Sequence, residues 1–97
     1  MNSNVRAYLR SQAHSLKPTV MVGKGGVDER IYASLDESLT SHELVKVKFQ
    51  AQKDQVRALS EQLAENTAST LVSIIGFIAT FYRPSEERLI VIPKDLL

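Results

Sequence analysis

The chain has no cysteine and no tryptophan, and only four glycines and three prolines among its 97 residues. Without cysteine there is no disulfide framework, no thiolate zinc site and no thiol nucleophile, which fits a reducing compartment. Long apolar runs are missing too. The longest, Leu71 to Tyr82, is interrupted by Ser73, Gly76 and Thr80, well short of the ~20 residues a spanning helix needs. The opening Met1-Asn2-Ser3-Asn4, leading into Arg6 and Arg10, contains no apolar signal segment, so the expectation is a soluble, cytoplasmic protein. Nor is there an excess of one charge: 12 Lys+Arg stand against 11 Asp+Glu, a balance that by itself says nothing about nucleic acid. What is present, 43% hydrophobic and 24% charged residues, describes one small globular domain over residues 1–97. A chain of this size buries roughly two-thirds of its unfolded surface, which leaves little room for a deep, walled active site.

The near-neutral total hides segregation. Residues 1–27 hold Arg6, Arg10, Lys17 and Lys24 and no acid, whereas residues 28–43 carry Asp28, Glu29, Asp36, Glu37 and Glu43 against the single Arg30. Lys46, Lys48 and Lys53 follow.

Val5, Tyr8, Leu9, Gln12, Ala13 and Leu16 recur at helical spacing and predict an amphipathic helix over 4–15, closed before Pro18. Arg6, Arg10, His14 and Lys17 then share one flank beside the apolar face. Thr19 to Val22 predicts a short strand running into Gly23-Lys24-Gly25-Gly26. A helix comes next, with Val27, Ile31, Leu35 and Leu39 inward, Asp28 and Glu29 in its first turn, and Asp36 and Glu37 outward. Leu44 to Phe49 alternates as a strand with Val45, Val47 and Phe49 on its buried side and Lys46 and Lys48 on the other. Asp54 is the expected cap of a third helix, with Val56, Leu59 and Leu63 inward and a stop at Asn66-Thr67. Leu71–Ile75 and Phe77–Tyr82 predict a hairpin about Gly76, and Leu89–Ile92 a short last strand before Pro93. The order αβαβαββ predicts a small α/β domain: one open layer of mixed sheet, four- or five-stranded, packed with helices.

The glycine loop carries the most chemistry, because glycines after a strand let backbone approach a ligand and a following helix N-terminus offers N–H groups to an anion. The Rossmann pattern fails at Asp28, and a Walker loop fails for want of Ser or Thr after Lys24. A G-x-x-G loop remains, of the kind that clamps an RNA backbone in KH modules; alone, it reads equally well as a plain strand-to-helix turn. The basic helix flank and the Lys46/Lys48 pair are each ordinary solvated faces when taken singly. Their conjunction with the loop points to one basic surface matched to phosphates, to which Tyr82-Arg83 adds stacking and charge. Catalysis finds no support. His14 and His42 are too few for a metal site, and the neighbouring acid pairs Asp28-Glu29, Asp36-Glu37 and Glu86-Glu87 splay apart as solvated carboxylates. No cofactor, metal or small-molecule substrate is expected.

Leu9-Arg10 with Ala13-His14 and Leu16, Pro18, Val22-Gly23-Lys24-Gly25-Gly26, His42-Glu43-Leu44-Val45-Lys46-Val47-Lys48, and Ile75-Gly76 before Phe81-Tyr82-Arg83-Pro84 together resemble the CRM domain in its stand-alone bacterial YhbY form. The resemblance implies a fold akin to the C-terminal domain of a bacterial translation initiation factor, RNA binding, and association with precursors of the large ribosomal subunit; plant relatives act in organellar intron splicing. It maps Gly23, Lys24, Gly25 and Gly26 onto the family's RNA-contacting loop and Lys46 and Lys48 onto its basic strand. Phe77 departs from the polar or basic residue often found after this glycine, which counts against an RNA contact from that turn and leaves room for an apolar protein contact there. The expected protein is a non-enzymatic, ribosome-associated RNA binder acting in large-subunit assembly. Lys24 and loop N–H groups would hold phosphates, and Arg6, Arg10, Lys17, Lys46, Lys48 and Arg83 would supply attraction. The alternative is a protein-interaction adaptor using the acidic helix 28–43 without RNA.

Overall fold

In the computed structural model, which describes residues 1–97, α1 (Ser3–Ala13), β1 (Val20–Val22), α2 (Glu29–His42), β2 (Leu44–Phe49), α3 (Val56–Thr67), β3 (Thr70–Ile75) and β4 (Ile78–Tyr82) follow in the expected order. The strands form one mixed sheet in the order β1-β2-β4-β3. β1 lies parallel to β2, with Val22 level with Phe49, while β4 runs antiparallel to both β2 and β3. A two-residue turn, Gly76-Phe77, joins β3 to β4, and Gly76 adopts φ +60°, the left-handed conformation that tight hairpin turns demand and glycine supplies.

The alternation in β2 explains the layering. Val45, Val47 and Phe49 join Val20, Val22, Ala79 and Phe81 beneath Leu35 and Leu39 of α2 and Val56 and Leu63 of α3. Leu44 points to the opposite face, where Val5, Leu9 and Ala13 of α1 cover Leu44, Val72 and Tyr82 in a second, separate core. Helices therefore pack on both sides of the sheet, α2 and α3 over one face and α1 over one end of the other. Arg6 helps fix α1 in place: its guanidinium donates to the carbonyls of Leu71 (2.6 Å) and Val72 (2.8 Å), at the point where β3 bulges between Leu71 and Ser73.

Three local expectations are corrected. Asp28 lies outside α2 as its N-cap, where its carboxylate accepts from the N–H groups of Arg30 and Ile31. Asp54 caps nothing, because a single 3-10 turn, Lys53–Gln55, precedes α3 and no side chain caps that helix. Leu89–Ile92 form no strand. The consecutive N–H groups of Leu89 and Ile90 both donate to the Glu43 carboxylate, whereas successive N–H groups of a strand point to opposite sides. The segment instead runs as a strap over the α1 layer, with Ile90, Ile92 and Leu96 packed on that core and the Leu96 carbonyl accepting from Asn2 Nδ2 at 2.9 Å.

One core position is paired with nothing. Ser60, on the inner face of α3, is fully buried, and its hydroxyl makes no hydrogen bond. Burying an unpaired hydroxyl costs about 1–3 kcal/mol, and alanine is the better helix former. Ser60→Ala should therefore raise the unfolding free energy by about 1 kcal/mol, measured by urea titration; equal or lower stability would mean that the hydroxyl has a partner in solution.

No helix is long and apolar enough to cross a membrane.

Candidate nucleic-acid interface

The glycine loop leaves the sheet where β1 ends. Gly23 O accepts from Gly26 N–H (3.0 Å), closing a turn with Lys24 and Gly25 at its tip, and Gly26 takes φ +83°. That conformation is the reason for glycine at 26; at Gly25 a side chain would meet open space. The loop is also held from below. Gln52 Nε2 donates to Gly23 O at 2.8 Å, and Gln50 N–H extends the β1–β2 ladder to Val22 O at 2.9 Å. Lys24 is exposed, and the N–H groups of Lys24 and Gly25 donate to no backbone carbonyl.

The loop stands as a ridge between two shallow hollows of about 380 Å³ each. Lys24 shares one with Lys53 and Asp54; Arg30, ion-paired with Asp28 at 3.3 Å, lines the other beside Gly25 and Gly26. Nothing in the linear order brings residue 53 beside residue 24; the fold does. The N-terminus of α2 does not offer the free donors expected of it. The Asp28 carboxylate takes the N–H groups of Arg30 and Ile31 and places a negative charge there. The hydrogen bond from Ile31 N–H, aided by Arg30, holds that carboxyl below its usual range. An anion at this loop meets Lys24 and the tip N–H groups, with two N–H groups of the helix terminus already taken by Asp28.

The remaining candidates divide by position. Arg10, Lys17 and Lys48 are exposed and make no intramolecular ion pair. Lys48 faces the α1 side of the sheet, level with Met21 of β1. Lys46, on the same face, donates its ammonium to the Leu16 carbonyl at 3.0 Å and so fixes the turn after α1. Arg6 is committed to the β3 bulge, as described. Arg83 stands apart from all of these. It follows Tyr82, which pairs with Leu44 at the start of β2, so it sits at the end of the sheet opposite the glycine loop. There it donates to Asp36 Oδ1 (2.7 Å), Thr67 O (2.7 Å), Asp36 O (3.0 Å) and Thr40 Oγ1 (2.9 Å).

The acidic helix loses much of its free charge in the same way. Asp28 and Asp36 are exposed, as the sequence suggested, but Asp28 caps α2 and Asp36 is paired with Arg83, while Glu43 is wholly buried. Glu43 has no partner cation. It sits at the C-cap of α2 with φ +67°, and its carboxylate accepts from Ser85 N–H (2.8 Å), the Ser85 hydroxyl, Leu89 N–H (3.0 Å) and Ile90 N–H (2.8 Å). Burial pushes its pKa up, but these four donors outweigh burial and bring it down to about 2. The sequence contained one hint: an acid at a helix C-terminus opposes the dipole, so Glu43 needs compensation from elsewhere.

With this geometry in view, the comparisons with known proteins are consistent. The model of the CRS1 / YhbY (CRM) domain matches residues 1–83. A Haemophilus influenzae protein named "RNA-binding protein" is 34% identical over 95 residues, covering 97% of this chain and 96% of its own. A Bacillus subtilis relative, "Probable RNA-binding protein YqeI", is 36% identical over 83 residues, 84% of this chain and 86% of its own. Among solved structures, the solution structure of SAV1595 from Staphylococcus aureus superimposes with a TM-score of 0.81 at 38% identity, covering 96% of this chain and all of that one. Fold, motif order and relatives agree: the chain belongs to the CRS1 / YhbY (CRM) domain family.

Proposed function

We propose that this protein binds RNA, without catalysing a reaction, by seating backbone phosphates on the tip of the Gly23–Gly26 loop, and that its target is ribosomal RNA in precursors of the large subunit. The observation that carries the reading is the loop tip itself: an exposed lysine and N–H groups without backbone acceptors, on a turn held rigid by Gln52 and Gln50. Preorganised donors gain a phosphate without paying to order the loop, and the relatives named as RNA-binding proteins supply the ligand class. Lys53, Lys48, Arg10 and Lys17 add attraction that is sequence-independent and screened by salt. The ribosomal target rests on the family resemblance.

Lys24→Glu tests both parts. It should weaken binding to a structured ribosomal RNA fragment about tenfold and flatten the salt dependence, with an unchanged melting temperature because the side chain is exposed. On a sucrose gradient of cell lysate, the parent should sediment with large-subunit precursors and the variant should remain near the top. Equal RNA affinity in parent and variant would remove the loop from the interface; a parent that never leaves the top of the gradient would overturn the ribosomal assignment.

A further inference from the structure

Beyond the glycine loop, the α1 side of the sheet is only partly covered. α1 seals the end carrying Leu44, Val72 and Tyr82 and leaves the other end open. The strand register places Met21, Lys48, Ile78 and Ile75 in one row across all four strands on this face. Met21 is 46% exposed, Ile75 70% and, at the adjoining turn, Phe77 37%. The row lies at the end of the sheet from which the glycine loop also emerges, since Met21 and Lys48 immediately precede the level pair Val22 and Phe49. Phe77 is tied to the same edge, its carbonyl accepting from Phe49 N–H at 2.8 Å.

The charged side chains that α1 and the strands bring to this row are all basic. Arg10 and His14 of α1 border it, lining a shallow hollow together with Ile75, and Lys48 stands within it. No Asp or Glu occurs anywhere on α1 or on any of the four strands. Apolar side chains between cations, with acids excluded, suit a ligand that is flat and apolar on its faces and anionic along its spine. Unpaired nucleotides have that character, because their bases rest on side chains while their phosphates meet lysine and arginine. A duplex keeps its bases stacked inside and offers this row nothing.

We propose that the open end of the sheet is a second RNA subsite, which takes the bases of a short unpaired segment on Met21, Ile78 and Ile75, with Lys48 and Arg10 on the flanking phosphates. Strands lie about 4.8 Å apart, so the row spans about 14 Å, a length over which four-stranded RNA-binding sheets of other folds hold two or three bases on aromatic side chains; here aliphatic side chains would supply the apolar contact. The inference rests on the proposed RNA-binding function and narrows it: the target is a junction where a phosphate backbone continues into unpaired nucleotides.

The test uses the full chain with two RNA probes of equal length, one a ten-nucleotide single strand and the other a blunt duplex. The variants are Met21→Ser/Ile75→Ser, at positions 46% and 70% exposed, and Lys24→Glu. The parent should prefer the single strand. The double variant should lose about fivefold in single-strand affinity with an unchanged salt slope, because no phosphate contact is removed, and should bind duplex as the parent does. Lys24→Glu should weaken both probes and reduce the slope. If the parent binds RNA but the double variant matches it on the single strand, the subsite is overturned while the loop's role stands. Failure of the parent to bind either probe would overturn the RNA-binding function and this inference with it. Circular dichroism at the assay temperature establishes that the variants are folded, and Met21→Leu/Ile75→Val, which keeps the row apolar, should retain single-strand affinity; loss in that variant too would also count against the subsite.

Discussion

A Glu43→Gln variant should be less stable than the parent by about 2–4 kcal/mol at neutral pH. The replacement has the same shape, so the effect isolates charge and donor pattern. In the parent, one carboxylate oxygen accepts from Ile90 N–H and the other from Ser85 N–H, the Ser85 hydroxyl and Leu89 N–H. Whichever way a glutamine amide is turned, its NH₂ group faces at least one of these donors, in a site with no exposed surface. A charge-assisted bond is lost and a buried donor is left unpaired. The acid dependence follows with a definite sign. The carboxyl has a pKa of about 2 in the fold against an ordinary 4.5, so its contribution is fully present above pH 4.5 and is lost as the pH falls through 4.5 toward 2. That contribution amounts to about 3 kcal/mol when integrated over the shift. Urea titrations at pH 7 and pH 3 should show the gap between parent and variant narrowing at the lower pH. A gap that stays constant, or is absent at pH 7, would show that the carboxylate does not hold the C-terminal strap.

The role of Glu43 marks where the sequence stops being legible. The elements themselves could be read because their patterns are local: β-branched alternation in Val45-Lys46-Val47-Lys48-Phe49 and the inward row Ile31, Leu35, Leu39 require no partner to be recognised. What could not be read is whatever depends on a residue's distant neighbours. Leu44 and Val45 are adjacent and both buried, a pattern that makes sense only once α1 is known to cover the second face. Leu89–Ile92 has a strand's composition, yet its first two N–H groups are taken by a carboxylate more than 40 residues earlier. The candidate site divides along the same line. The glycine loop was visible because Gly26 must take a left-handed conformation and glycine announces that locally. The cations were not separable by sequence, because Arg6, Lys46 and Arg83 differ from Arg10, Lys48 and Lys24 only in having carbonyls or carboxylates within reach in the fold.

Arg83→Ala should destabilise the protein by about 2–3 kcal/mol and leave RNA affinity unchanged at temperatures where both proteins are folded. Its guanidinium, about one-fifth exposed, joins three pieces of chain: it bonds Asp36 and Thr40 on α2, and the carbonyl of Thr67, the last residue of α3, while its own backbone N–H donates to Glu43 O at 2.9 Å. The Asp36 carboxylate is itself well exposed, so that ion pair contributes at most about 1 kcal/mol. Most of the loss comes from the carbonyls of Thr67 and Asp36, which lose a charged donor. Arg83→Lys should recover less than half of the deficit, because an ammonium is a point charge and cannot reach acceptors on both helices from one planar fork. Thermal denaturation of the two variants, followed by RNA titration well below both midpoints, separates the roles. A stable Arg83→Ala protein that binds RNA tenfold more weakly would return Arg83 to the interface and require the RNA to reach the far end of the sheet. The hydrogen-bond geometry argues the reverse: a guanidinium already donating to four acceptors has little left to offer a phosphate, and the basic character of this sequence motif at Arg83 serves the fold.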